Sequence, residues 1–121
     1  MPGDLVSVLK ERMVLLDGAM GTMLQERGMQ PGQCPELFGV ENPALLREIH
    51  NLYIEAGADI IQTNTFGGNA SKLSEYGLED RVEEINAEAV RIARETSRGR
   101  AWVAASIGPT GRLLSPMSWR Q

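Results

Sequence analysis

Three short strand-like segments, the first of them a continuous apolar run at 13–16 and each closed by small and polar residues, divide the chain. Residues 13–16 run into Asp17-Gly18, residues 59–63 into Asn64-Thr65-Phe66-Gly67-Gly68, and residues 101–107 into Gly108-Pro109-Thr110-Gly111. A continuous apolar run bounded by turn residues is the pattern of a strand buried on both faces, as in parallel sheets. Between these runs the apolar spacing changes to threes and fours. Leu5, Val8 and Leu9 predict a short lead-in helix within residues 1–12, with Asp4 as its N-cap. Such a helix can plug the bottom of a barrel. Residues 19–27 predict a helix stopped by Gly28. Asn42-Pro43 marks the start of a helix over 43–56, with a stripe of Leu45, Leu46, Ile49, Leu52, Tyr53 and Ala56. Residues 70–76 predict a further short helix. Asp80 and Glu83 have capping-box spacing ahead of a long helix over 81–97, striped by Val82, Ile85, Ala89, Ile92 and Thr96. Residues 29–41, with Pro31, Gly32, Pro35 and Gly39, are expected to form a loop, and residues 112–121 an irregular tail.

The order strand, helices, strand, helices, strand predicts an α/β fold. Its long helical crossovers imply parallel strands. All three strand ends then fall on one rim, the side on which ligands bind in open and closed parallel α/β folds. Asp17 and Gly18, the cluster Thr63, Asn64, Thr65 and Phe66, and Ser106 with Gly108 are therefore the candidate binding residues. Each also has an ordinary reading as a turn or helix-cap residue.

Composition narrows the choice. With 12 basic and 16 acidic side chains the net charge is -4, and 42% of the residues are apolar. That balance describes one globular domain and argues against a nucleic-acid partner, which needs clustered cations. Arg91, Arg94, Arg98 and Arg100 look like the solvated face and end of a helix. No apolar run approaches a membrane span and no signal peptide is visible, so neither a membrane nor secretion is expected. A single cysteine, Cys34, rules out an intrachain disulfide and makes a cytoplasmic setting the default. Together with a single histidine, His50, it cannot supply a structural zinc site. Cys34 is expected to be a buried small hydrophobe and His50 a packed or partly exposed helix residue. Nucleotide binding through Gly18-Ala19-Met20-Gly21 is weak, because neither a Gly-x-Gly-x-x-Gly pattern nor a Gly-Lys-Ser/Thr ending is present.

The stretch Leu16-Asp17-Gly18-Ala19-Met20-Gly21-Thr22-Met23-Leu24-Gln25 resembles the opening of the homocysteine-binding domain of homocysteine S-methyltransferases. The resemblance continues through Cys34-Pro35-Glu36, through residues 56–67 with their Thr-Asn-Thr-Phe-Gly ending, and through Ser106-Ile107-Gly108-Pro109-Thr110-Gly111. It spans nearly all of residues 13–115, and its wording is closer to the cobalamin-dependent branch than to the betaine-using one. It implies a (β/α)8 barrel of which this chain holds about the first three βα units. It also implies transfer of a methyl group to the thiolate of homocysteine. In that family zinc held by three cysteines activates the thiol, because a coordinated thiol is deprotonated at neutral pH. Methylcobalamin, recharged by folate-binding modules, is the donor in the cobalamin-dependent branch.

Carried onto this sequence, the resemblance makes Asp17 and Gly18 holders of the amino-acid part of homocysteine, with Asp17 binding rather than transferring a proton. Thr63, Asn64, Thr65 and Phe66 would line the pocket, as would Ser106 and Gly108. The zinc cysteines lie later in the family's barrel, and Cys34 matches none of them. The expectation is a partial homocysteine-binding domain over residues 1–121, without catalytic or metal residues of its own and inactive alone. Its partners would be homocysteine, the remaining barrel and the cobalamin and folate modules. The competing expectation is a non-enzymatic α/β module that self-associates and binds an amino acid weakly.

Overall fold

The computed structural model describes residues 3–113. The predicted tail at 112–121 therefore lies almost wholly outside the described residues. The chain forms α1 (Leu5–Leu9), α2 (Gly21–Glu26), α3 (Pro35–Glu41), α4 (Pro43–Glu55), β1 (Ile60–Gln62), α5 (Ala70–Leu73), α6 (Val82–Ser97) and β2 (Trp102–Ala104). Short 3-10 turns at Ser74–Tyr76 and Glu79–Arg81 join α5 to α6.

β1 and β2 pair in parallel, Ile60 opposite Trp102 and Gln62 opposite Ala104. Residues 13–16 are extended beside β1 but form only one parallel bridge, Leu16 to Ile60, in place of the full strand expected there. Leu15 O accepts from both Asp59 N–H (2.8 Å) and Ile60 N–H (3.1 Å), and Asp17 N–H donates to Ile60 O at 2.9 Å. A second anchor comes from Asp59, whose carboxylate accepts from Leu15 N–H at 3.0 Å and from both ends of the Arg12 guanidinium. The ladder stops there because nothing among the described residues pairs with or covers the outer side: Met13, Leu15 and Leu16 are all exposed.

The register sorts the side chains. Leu16, Ile60 and Trp102 share one side of the sheet, and Ile61 points to the other, where it is fully buried beneath the helices. α1 is capped by Asp4, which accepts from Ser7 N–H and Ser7 O–H. It is tied to the N-terminal end of β2 by the Trp102 indole, which donates to Gly3 O at 3.0 Å. That end is opposite the rim carrying Asp17, Thr63 and Ser106.

α4 and α6 supply the main core. Leu46, Ile49, Ile85, Ala89 and Ile92, all in the stripes read from the sequence, are fully buried, as is Ala93, which lies outside them; Leu52 and Ala56, expected in the α4 stripe, are exposed. The solvent face of α6 carries Arg91 between Glu88 and Glu95, one turn away on either side. Gly57 ends the α4 turn at a φ of 111°, a conformation that a side chain would strain.

Two expectations are corrected. The loop foreseen over 29–41 contains α3, because Pro35 is not a breaker there but the first residue of a helix, where its missing N–H costs nothing. α3 feeds both halves of the core, Phe38 into the cluster of Leu24, Met29 and Ile49, and Leu37 and Val40 into that of Cys34, Leu73 and Ile85. The Asp80–Glu83 capping box does not form. Asp80 lies inside a 3-10 turn, and α6 begins at Val82 with no side-chain cap. Arg81 instead grips Glu84 through two bonds of 3.0 and 2.8 Å.

Candidate functional site

Asp17 sits where the extended 13–16 segment ends, half buried beside β1. Its carboxylate accepts from Gln62 N–H at 3.0 Å and from Gln62 Nε2 at 3.2 Å. Burial pushes its pKa above the usual carboxylate value, and the two Gln62 bonds oppose that rise. Gly18 follows with Tyr53 packed against its backbone: a Cβ there would lie 3.2 Å from Tyr53 Oη, and that hydroxyl donates to Ala19 O at 2.6 Å. α4 thus fixes the turn that presents Asp17.

The end of β1 and the end of β2 are laced together by hydroxyls. Ser106 N–H donates to Thr63 Oγ1 at 3.3 Å, and Thr65 Oγ1 donates to Ser106 O at 2.8 Å. The two threonine oxygens lie 2.7 Å apart. Thr65 has spent its single proton on Ser106, so Thr63 is the donor between them. Both threonines are buried. Both threonines are expected from the sequence to line a pocket; Thr63 does border the cavity described below, while the Thr65 hydroxyl is used in tying the two strand ends together. Asn64, also buried, donates from Nδ2 to Pro35 O at 2.9 Å.

Phe66 is the exposed member of the cluster, at 61% of its surface. Gly108 explains its placement. A Cβ at 108 would collide with Phe66 O and meet the ring at 3.0 Å, so the β2 end can pass under Phe66 only as glycine.

Sequence reasoning assigned no role to Glu36, yet it is one of the most enclosed acids in the chain, 6% exposed in the first turn of α3. Its Oε2 accepts from Gly67 N–H at 3.0 Å and its Oε1 lies 3.5 Å from Cys34 Sγ. Burial raises the Cys34 pKa against a backbone hydrogen bond that lowers it, and the Glu36 charge raises it further. The thiol therefore stays protonated and donates to Glu36. The available signal was the Cys34-Pro35-Glu36 order, a proline at a helix start followed by an acid in the first turn.

These groups converge on one open cavity of about 330 Å3, lined by Asp17, Gly18, Glu36, Asn64, Phe66 and Ser106 among others. It holds two carboxylates, neutral hydrogen-bonding groups, an aromatic ring and no cation. Such a lining suits the ammonium end and the aliphatic stem of a small amino acid.

The homocysteine S-methyltransferase family model matches residues 14–121. The chain belongs to the homocysteine S-methyltransferase family. It is 37% identical to methionine synthase of Mycobacterium tuberculosis and 36% identical to that of Mycobacterium leprae, each over 124 aligned positions and 91% of this chain. The chain spans about a tenth of the length of these curated relatives. Among solved structures it resembles the metallated homocysteine methyltransferase MmuM of Escherichia coli, at 30% identity and a TM-score of 0.73. The oxidised form gives 31% and 0.74. The match to the metallated form covers 88% of this chain and 42% of that one.

The residues present do not fit the three-cysteine zinc site that the family implies. Cys34 is the single cysteine, buried against Glu36, and no group of three or more metal-ligating side chains converges among the described residues. Among the described residues no helix is long and apolar enough to cross a membrane.

Proposed function

We propose that this chain is the first part of a (β/α)8 homocysteine-binding barrel, and that it holds the amino-acid end of homocysteine while methyl transfer takes place. The observation that carries this reading is the convergence of Asp17, Gly18 and Phe66 on one cavity at the C-terminal rim of a parallel sheet, in a member of this family. Asp17 takes the substrate ammonium, because its carboxylate is pinned by Gln62 and needs no rearrangement to accept a charged donor. Phe66 covers the methylene stem. Thr63, Thr65 and Ser106 hold the two strand ends in register, and Gly108 lets Phe66 lie across them.

Asp17 is a binding group and not a base. In the family, zinc held by cysteines outside this chain would supply the thiolate, so Asp17 would have no proton to move. Zinc, methylcobalamin and the folate-binding modules belong to other parts of the enzyme, and the chain by itself does not transfer methyl groups. The surfaces that would meet the rest of the barrel are the uncovered outer side of residues 13–16, the free edge of β2 and the hollows beside it, lined by Val90, Arg94, Trp102 and Val103. The setting is cytoplasmic.

The test is to mix the purified chain with the later portion of a family barrel. Recovery of zinc-dependent methylation of homocysteine supports the reading, and no activity from a folded mixture counts against it. The exposed Leu15, Leu16 and Ile107 also favour a second reading, a self-associating module that binds an amino acid weakly. A discrete dimer or ring on a sizing column that still fails to complement would select it.

A further inference from the structure

Glu36 is a buried carboxylate with no ion-pair partner among the described residues, and such a group is costly to enclose unless hydrogen bonds compensate it. Both oxygens are engaged, one by Gly67 N–H at 3.0 Å and the other by the Cys34 thiol at 3.5 Å. The bond to Gly67 spans 31 residues and joins the first turn of α3 to the loop after β1. The approach is close: a Cβ on Gly67 would lie 3.1 Å from Glu36 Oε1. A second tie runs alongside it, from Asn64 Nδ2 to Pro35 O. Gly39, further along α3, leaves the room that Asn64 occupies. On the opposite side the same loop rests on Gly108. Phe66 lies between the two supports, its carbonyl over Gly108 and its chain successor Gly67 held by Glu36.

We infer that Glu36 is a positioning residue, which through Gly67 N–H sets the loop so that Phe66 stands over the cavity mouth and closes it on the stem of a bound thiol amino acid. The inference rests on the homocysteine-binding reading for its ligand but not for its geometry. Glu36 is assigned no substrate contact; it acts through its bond to Gly67 N–H. Its role is to fix one aromatic wall in advance, so that binding need not order the loop.

The test uses the isotope-labelled 121-residue chain with Glu36→Ala and Glu36→Gln. Glutamine keeps an amide oxygen as acceptor for Gly67 but puts an NH2 group where Oε1 accepted from the Cys34 thiol, so it loses the charge and the thiol bond while preserving the loop bond. In Glu36→Ala the Gly67 amide should exchange at least about tenfold faster while Ile61 and Ile85 amides are unchanged, and in Glu36→Gln it should stay within about threefold of the original. L-homocysteine, added as the probe, should bind about tenfold more weakly to the alanine variant and near-normally to the glutamine one. Unchanged exchange at Gly67 in Glu36→Ala overturns the inference, as does a rise shared equally by the core amides. Should the alanine variant not fold, a scalar coupling across the hydrogen bond from Gly67 nitrogen to the Glu36 carboxyl carbon in the original chain decides the matter, and its absence overturns the inference. Failure of the original chain to bind homocysteine while Gly67 responds as stated defeats the substrate reading alone. Normal homocysteine binding by Glu36→Ala defeats the role of Glu36 alone.

Discussion

The Thr65 hydroxyl donates to the Ser106 carbonyl at 2.8 Å, joining two strand ends that are 41 residues apart in the chain. Because Thr65 has one proton, this bond sets the direction of the whole chain of hydroxyls: Ser106 N–H to Thr63, Thr63 to Thr65, Thr65 back to Ser106. Thr65→Val removes the donor at nearly constant volume, leaving the Thr63 proton without its acceptor and the Ser106 carbonyl without its donor, while Thr63 Oγ1 still accepts from Ser106 N–H. A loss of about 1–3 kcal/mol in denaturant unfolding is expected. Thr65→Ser should recover most of it, and equal losses in both variants would refute a hydrogen-bonding role.

Asp17→Asn should spare the fold and damage binding. The asparagine oxygen can still accept from Gln62 N–H, and a flipped Gln62 side chain can accept from the new amide at the 3.2 Å position. What disappears is the negative charge facing the cavity. Titration with homocysteine should show affinity reduced about tenfold or more, in line with a lost charge-assisted hydrogen bond. Unchanged affinity would remove Asp17 from the binding residues.

Gly108→Ala should disturb Phe66 before anything else, since the new methyl group meets Phe66 O and the ring. Overpacking of this kind costs about 1–3 kcal/mol. Loop amides from Thr65 to Gly68 should shift in an amide spectrum, while the α4 and α6 amides stay in place.

His50 makes the folded chain acid-sensitive. The side chain is fully buried, neither ring nitrogen has a partner among the described residues, and burial pushes its pKa down from 6.5 to about 4. Between those values the unfolded chain takes up a proton that the folded chain refuses. Its contribution to stability is therefore complete above pH 6.5 and declines as the pH falls toward 4, by about 3 kcal/mol in all. His50→Leu should flatten that part of the stability–pH curve; an unchanged slope would show that carboxylates alone produce it.

Much of the architecture could be read from residue order. The stripe Ile85, Ala89, Ile92 on α6, the proline start of α4 and the Asp4 cap follow from periodicity and local capping chemistry, which act over one or two turns, and the parallel direction of the strands follows from their long helical crossovers. Gathering Asp17, Phe66, Ser106 and Gly108 onto one rim also follows, because parallel strands with helical crossovers share their C-terminal edge.

The remainder depended on contacts between residues distant in sequence. Residues 13–16 have the composition of a buried strand, but a strand is completed by its neighbours, and here β1 is the only one they have among the described residues. Residues 29–41 have the composition of a loop, yet α3 forms there because Asn64 and Gly67 give its first turn polar partners and two apolar clusters receive its sides. Local chemistry could not show that Thr63 and Thr65 spend their hydroxyls on Ser106, or that Glu36 holds Gly67. Those roles are set by which backbone groups the fold brings within about 3 Å, and hydrogen bonds act only over that distance.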